Sequence, residues 1–523
     1  MANWVDAGEV STLKARGRRI FKPGGRQILL LQAGDRIVAC NNRCPHEGYP
    51  LSEGTLADGC TLTCNWHNWK FDLVSGETLV GGDRLTRYPV EVRDGHVYVD
   101  VADVPAAERQ TKALSNLAEA IEDNSYDRMA REVARFLKAG GDPHEPLRRA
   151  ILSRATRLEY GMTHAFAAAV DWLDLHAQAG DEARRLAALI EPLAHISWDT
   201  LREPEWPFTD AIARWDEMAF VEAIELEDEV AAVSAINAAL IQENVEMPSL
   251  KRAFARAALA HYQDFGHAAI YTVKAFALIE RLGRAVARPV LASLARSIVY
   301  ASREDRIPEF RHYDVALKAF GVRTGDPCRV GDLVGQPVTA TLDRISGLRE
   351  EPLRAYRLLL EASAVAMLRF DTRVGQHVDK PVSHNASWLD FTHMLTFGNA
   401  VRDLCALVPE LWPQALLQMG CFLGRNSSFL LPEPDRSTAV ADRIRFLDEE
   451  RAALYDHGLR DPIFACHRVK VLAAVAEETA WAGPGTLCDA VLAATNRYLH
   501  GTIKGHHALR LATQSLAFVD AEG

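Results

Sequence analysis

Apolar and polar positions follow two different periods along this chain. Over the first hundred residues the apolar runs are short and broken by turn residues. In 26–40, Ile28-Leu29-Leu30-Leu31 and Ile37-Val38-Ala39 flank Ala33-Gly34-Asp35, which predicts a hairpin with a glycine-containing turn. Val90-Glu91-Val92 and Val97-Tyr98-Val99 flank Arg93-Asp94-Gly95-His96 and predict a second. Segments 61–64 and 70–73 read as strands, followed by a turn at Val74-Ser75-Gly76-Glu77. A linker is expected at 101–108, around Pro105. From about residue 113 alanine- and leucine-rich stretches of helical length take over. They predict helices at 114–124, 126–139, 146–158, 162–175, 182–195, 209–224, 229–239, 249–262, 267–282 and 289–301. Further helices are expected at 353–369, 391–408, 412–423, 435–454, 465–480, 487–499 and 506–519, with loops at 321–335 and 347–352. The fold class is therefore α+β and multidomain: a small antiparallel-β domain over 1–105, then a large all-α domain over 106–523.

Composition narrows the function classes. The chain has 523 residues, enough for a large core and more than one domain. Its net charge is -11 with no long basic run, which argues against nucleic acid as a partner. Nine cysteines in a chain of this length do not suggest a secreted disulfide framework. The N-terminus lacks a basic-then-apolar leader, and no apolar run reaches a membrane span. The expectation is a cytoplasmic protein with no membrane partner; a homo-oligomer is compatible with all of this.

The stretch from Cys40 to Gly76 carries the first chemistry. It holds two short Cys–His pairs, Cys44/His46 and Cys64/His67. Two thiolates and two imidazoles can hold the two irons of a [2Fe-2S] cluster, one kind of ligand on each iron. Pro45 and Pro50 stiffen the first loop, and Gly48 and Gly54 let it turn closely. Structural zinc is the competing reading, but its cysteines usually pair with each other at short spacing. The pattern Cys-x-His, spacer, Cys-x-x-His resembles Rieske domains, over about residues 1–105. Position 49 and positions 65 and 66 are not cysteine, so the resemblance is to the soluble ferredoxin-like or oxygenase-like type. Cys40 and Cys60 are expected to be buried thiols on flanking strands.

The helical region repeats a histidine near the start of an apolar helix. It occurs at His164, His267, His393 and His467, with a fifth version at His506-His507. Four such helices packed together would point four imidazoles at one centre, and iron accepts imidazole readily. Lys470 follows His467 by one helical turn. It could act as a ligand only after losing its charge or after carboxylation to a carbamate. The segments Phe-Gly-His267, Phe-Thr-His393-Met-Leu-Thr and Cys-His467-Arg-Val-Lys470-Val resemble the questin oxidase family over about residues 115–500. That family comprises helical enzymes that oxidatively cleave anthraquinone-type rings. The resemblance implies one non-heme iron held by His164, His267, His393, His467 and a carboxylated Lys470. Zinc or manganese would suit four histidines as well. An N-terminal Rieske domain departs from the family pattern.

Together these readings predict an iron-dependent mono- or dioxygenase. It would use O2 to hydroxylate or cleave an aromatic or quinone-like substrate, with electrons entering through the [2Fe-2S] cluster. No Gly-x-Gly-x-x-Gly fingerprint is present, so NAD(P)H would act through a separate ferredoxin reductase. The alternative is an electron carrier or redox sensor whose helical body only docks partners. Phe166, Trp172, Tyr271, Phe276, Trp388, Phe391 and Phe397 are candidates to wall a substrate pocket. His195, His261, His312, His384, His457, His500, His506 and His507 are reserve ligands. His261 is expected in an outer shell or on the surface, and the acidic run Glu225–Glu229 at a helix end or on a solvated face.

Overall fold

The computed structural model describes residues 2–58, 60–242, 245–322, 328–348, 351–503 and 507–522. The chain divides into two compact units, Met1–Pro143 and His144–Gly523. Strands fill much of the first, and helices dominate the second.

The strands of the first unit form three antiparallel sheets. Trp4–Glu9, His96–Asp100 and Val90–Arg93 make one. Arg18–Phe21, Ile28–Ala33, Arg36–Asn41 and Arg87–Tyr88 make the next, and Thr55–Ala57, Thr61–Thr63, Lys70–Asp72 and Thr78–Val80 the last. Both predicted hairpins form, with Leu30 opposite Ala39 and Val92 opposite Val97. The continuous apolar run Ile28–Leu31 has a physical reason, because both faces of that strand are buried. Leu29 and Leu31 enter the core that contains Cys44 and Cys64; Ile28 and Leu30 enter another with Val97 and Val99. A fully buried leucine is worth about 1.5–3 kcal/mol, so this strand anchors both cores at once.

Two helices, Ala106–Glu122 and Tyr126–Lys138, complete the unit. The first starts at Ala106, inside the expected linker, because Pro105 stands at its N-cap and fits a helix entrance. The buried Asp83 carboxylate receives Arg128 Nε at 3.3 Å and Arg131 Nε at 2.9 Å, which ties the second helix to the strand region.

In the second unit four helices form a closed ring. His164–Gln178 packs on His267–Leu282, which packs on Trp388–Leu407, which packs on Pro462–Ala482, which returns to the first. Trp388–Leu407 and Pro462–Ala482 are buried on most of their circumference, as expected of helices enclosed by others.

Several boundaries differ from the sequence reading. The helix expected at 209–224 covers only Glu217–Glu225. Upstream, Asn237 Nδ2 donates to the carbonyls of Thr209 and Ala211 at 3.0 and 2.9 Å, which holds that segment extended. Asp216 then caps the helix by accepting from Ala219 N. The helix expected from 435 begins at Arg443, capped by Asp442. Tyr313–Ala319 and Val338–Ser346 are helices that periodicity missed. Val330–Leu333 forms a short helix inside the loop expected at 321–335; other parts of that loop and of 347–352 lie outside the described residues, as does His506. Among the described residues no helix is long and apolar enough to cross a membrane.

Candidate metal centres

The two Cys–His boxes sit in loops of one design. Cys44 N donates to Tyr49 O at 2.8 Å and Gly48 N to Cys44 O at 2.8 Å; Cys64 N donates to Trp69 O at 2.8 Å and Asn68 N to Cys64 O at 2.9 Å. Gly48 (φ 79°) and Asn68 (φ 60°) occupy the left-handed region at equivalent points. Gly54 is required differently: a Cβ there would lie 2.5 Å from Thr63 O. The result is two buried sulfurs, Cys44 and Cys64, and two outward imidazoles whose Nδ1 atoms face each other at 3.2 Å. The His46 ring stacks on Trp69 at 4.6 Å, and Tyr49 stacks on Trp66 at 4.2 Å. Burial, with Cys64 alongside, pushes the Cys44 thiol up to about 11. Two thiols so placed ask for a cation that would take them as thiolates. Sulfur donors inside and nitrogen donors outside fit a [2Fe-2S] cluster. Cys40 is buried on a strand as expected, whereas Cys60 is half-buried in a turn.

The helical ring brings His164, His267, His393 and His467 together. His267 Nε2 lies 3.1 Å from His164 Nε2 and 3.0 Å from His393 Nε2, and His467 Nε2 lies 3.4 Å from His393 Nε2. Their outer nitrogens are already engaged. His267 Nδ1 meets Asp264 O at 2.6 Å, His393 Nδ1 meets Leu389 O at 2.5 Å, and His467 Nδ1 meets Ile463 O at 2.7 Å. A carbonyl only accepts, so each of these Nδ1 atoms carries the proton and each Nε2 presents a lone pair. His164 Nδ1 meets the Tyr271 hydroxyl at 3.0 Å. Burial holds all four imidazoles below the usual histidine range, hence neutral. Converging lone pairs at this spacing repel unless a cation sits among them. The donor set therefore fits a metal ion, and imidazole suits iron.

Lys470 completes the surroundings. It is 1% exposed and its Nζ has no hydrogen-bond partner. Burial, first of all, lowers its pKa. A second, partly buried lysine, Lys274, pairs with Asp171 at 2.6 Å, and the other Asp171 oxygen is also unpartnered.

A cavity of about 510 Å³ opens beside His164 and His267. Asp199 is in its wall. Thr163, the N-cap of the His164–Gln178 helix, donates its hydroxyl to Asp199 at 2.6 Å, so this carboxyl helps fix where His164 begins its helix. Burial pushes Asp199 up to about 6 and its neighbour His195 down to about 3. Of the seven aromatic residues proposed as pocket walls, Tyr271 lines this cavity; Trp388 lines a separate one, and Phe166, Trp172, Phe276, Phe391 and Phe397 are core side chains.

The reserve histidines lie elsewhere. His261 bonds Glu304 at 2.9 Å and Glu225 at 3.0 Å; His312 pairs with Asp343, His457 with Glu191 and His500 with Glu450. His384 and His507 are exposed. Glu225 ends one helix and Asp228 caps the next, which accounts for the acidic run.

Asp264, Phe265 and Gly266 all have positive φ immediately before His267. This run aims the Asp264 carbonyl at the His267 ring and was invisible to helix periodicity. A Cβ on Gly266 would lie 2.6 Å from Phe397, whereas Gly458 (φ 62°) faces open space. Gly266→Ala should cost about 2–4 kcal/mol, the sum of left-handed strain and overpacking, against about 1 kcal/mol for Gly458→Ala. Thermal unfolding of the two variants checks the difference.

Comparison with known proteins bears on the first centre. The Rieske [2Fe-2S] domain family matches residues 3–84. The 3-phenylpropionate/cinnamic acid dioxygenase ferredoxin subunit of Escherichia coli (strain K12) is 37% identical over 78 residues, 14% of this chain and 74% of that protein. Its counterpart in Shigella boydii serotype 4 is 36% identical over the same length, again 14% of this chain and 74% of that protein. Among solved structures, the ferredoxin of carbazole 1,9a-dioxygenase from Nocardioides aromaticivorans IC177 is 23% identical, with TM-score 0.18, over 19% of this chain and 97% of its own. The terminal oxygenase of the same system is 27% identical, with TM-score 0.19, over 20% of this chain. The chain spans only 31% of that oxygenase's length.

Proposed function

The chain belongs to the Rieske [2Fe-2S] family, and from that premise we propose that it is an iron-dependent oxygenase with two metal centres. Cys44, His46, Cys64 and His67 hold the cluster, in a domain assigned to 1–105. His164, His267, His393 and His467, with Lys470, hold a mononuclear iron in a questin oxidase-like domain assigned to 106–523. The observation that carries this reading is the convergence of four histidine lone pairs beside a buried, unpartnered lysine.

When bound, the cluster would supply single electrons and the mononuclear iron the redox chemistry with O2. The protein's part follows from its own groups. Helix and loop carbonyls fix three imidazole tautomers, and Tyr271 orients the fourth. Packing of the four helices buries His393 and His467, while His164 and His267 face the cavity. Lys470, once neutral, can add CO2 and release a proton, which would give four uncharged histidines an anionic companion. The cavity beside His164 and His267 would receive an aromatic or quinone-like substrate for hydroxylation or ring cleavage. NAD(P)H would act through a separate reductase, at the His46 and His67 edge, where both side chains reach solvent. We assign the protein to the cytoplasm.

The test is iron and acid-labile sulfide per chain in anaerobically prepared protein. Three irons to two sulfides are expected. Two irons to two sulfides, with no other metal bound, would instead favour an electron carrier or redox sensor.

A further inference from the structure

We propose that the outward face of the C-terminal helix Ala508–Ala521 is a self-association surface, on which a second copy of this chain lays the same helix antiparallel.

The helix is seated with its polar side inward. Arg510 and Gln514, one turn apart, are buried and fasten it to the body. Arg510 donates to Gly375 O, and Gln514 Nε2 donates to Lys380 O at 2.8 Å and to Asn385 Oδ1 at 3.0 Å. The opposite side is apolar and faces solvent: Leu509, Leu511, Leu516, Phe518 and Val519 are between 48% and 77% exposed. An ordinary amphipathic helix at a surface buries its apolar stripe instead. Leu509, Ala512, Leu516 and Val519 follow one another at intervals of three, four and three, the spacing of a seam that packs against another helix. Leu511 and Phe518 widen that seam on one side.

Three features select a second copy as the occupant. The first is fit. Antiparallel pairing that sets Ala512 against the partner's Leu516 also sets Leu509 against the partner's Val519, so a small side chain faces a large one in both central layers. The second is charge. With Arg510 buried, Asp520 is the only charged side chain this helix presents to solvent. The same register sets it beside the first turn of the partner's helix, where free N–H groups attract a carboxylate. The third is area. The exposed apolar side chains present on the order of 500 Å², so two copies would bury about 1,000 Å², the threshold of a specific interface. A lipid surface fits less well. Helices that lie on membranes carry lysine or arginine beside the apolar face, whereas this helix exposes neither and the chain's net charge is -11.

Sedimentation velocity of the full chain from about 1 to 100 µM is the test, and an interface of this size predicts a dimer with Kd of about 1–10 µM. Leu516→Glu and Ala512→Lys, both at exposed positions, should each weaken the dimer at least about tenfold by placing a charge in an apolar layer. An equimolar mixture of the two variants should dimerise again, because the antiparallel register brings the new ammonium against the new carboxylate. Circular dichroism of each variant should match the parent. A parent that stays monomeric at the top concentration would overturn the proposal. So would a dimer indifferent to Leu516→Glu, or a mixture that stays monomeric. Co-sedimentation with phosphatidylcholine–phosphatidylglycerol vesicles decides the other occupant. A monomeric parent that pellets with the vesicles, and no longer does so as Leu516→Glu, would give this face to a lipid surface and overturn the proposal.

Discussion

Replacing His393 with alanine is expected to remove one iron per chain and leave two irons and two sulfides behind. His393 sits between two partners, with its Nε2 3.0 Å from that of His267 and 3.4 Å from that of His467. Its loss opens the middle of the donor set. The remaining three imidazoles would keep their tautomers, because their outer nitrogens are bonded elsewhere. Substrate-dependent O2 consumption should fall well beyond the roughly 10–100-fold that loss of an outer-shell partner costs a metal site. His500→Ala is the matched control, since His500 is 64% exposed and pairs with Glu450. Metal analysis and an oxygen electrode suffice. Equal iron in the two variants would refute the placement of the second centre.

Replacing Lys470 with methionine should separate stability from function. In metal-free protein the lysine is a buried amine without a partner, and an unsatisfied buried donor costs about 1–3 kcal/mol. Methionine fills similar space without that cost, so the metal-free variant should unfold at higher temperature than the parent. The same change should strip the third iron or leave it without oxygenase activity. The pH dependence gives an independent check. Burial lowers the folded pKa of Lys470 below its ordinary 10.5, so the unfolded chain binds more protons between the two values. Stability of the parent from this group therefore rises with pH across that interval. The methionine variant should lack that rise. Denaturant unfolding at several pH values measures it, and parallel curves for the two proteins would contradict the buried-amine account.

Much of the fold was readable because it rests on local signals. The hairpins at Gly34 and Gly95 carry their turn residues between apolar runs, and Cys44, His46, Cys64 and His67 are close in sequence. The four histidines were readable as a recurrence, and the ring of helices gives that recurrence a geometry. His164 and His267 begin their helices, while His393 and His467 lie about a turn and a half inside theirs. What escaped the sequence depends on distant partners. Thr209 to Asp216 reads as helical until Asn237 takes its carbonyls. The left-handed run before His267 has no composition signal beyond Gly266. The carboxyls of Glu159, Asp199, Glu203 and Asp264 look like ordinary surface charges until the fold gathers them at one cavity. Conversely, Phe166 and Trp172 neighbour His164 in sequence, yet helical rotation turns them into the core.

The spacing of the two ligand sets along the chain has a consequence for how the protein is made. Cys44 to His67 is one short stretch, whose loops can close as soon as the strands around them pair. The histidines of the ring are separated by 103, 126 and 74 positions in turn. Closing segments of that length precedes any contact between them, and such long-range closure is slow. A ribosome has therefore finished the first donor set while most of the chain is unwritten, and the second does not exist until Lys470 has emerged. Any product cut short before that point would retain the Cys–His loops and lack the complete histidine–lysine set. On the proposed reading it would be equipped to take up an electron and have no complete second centre within the same chain to receive it.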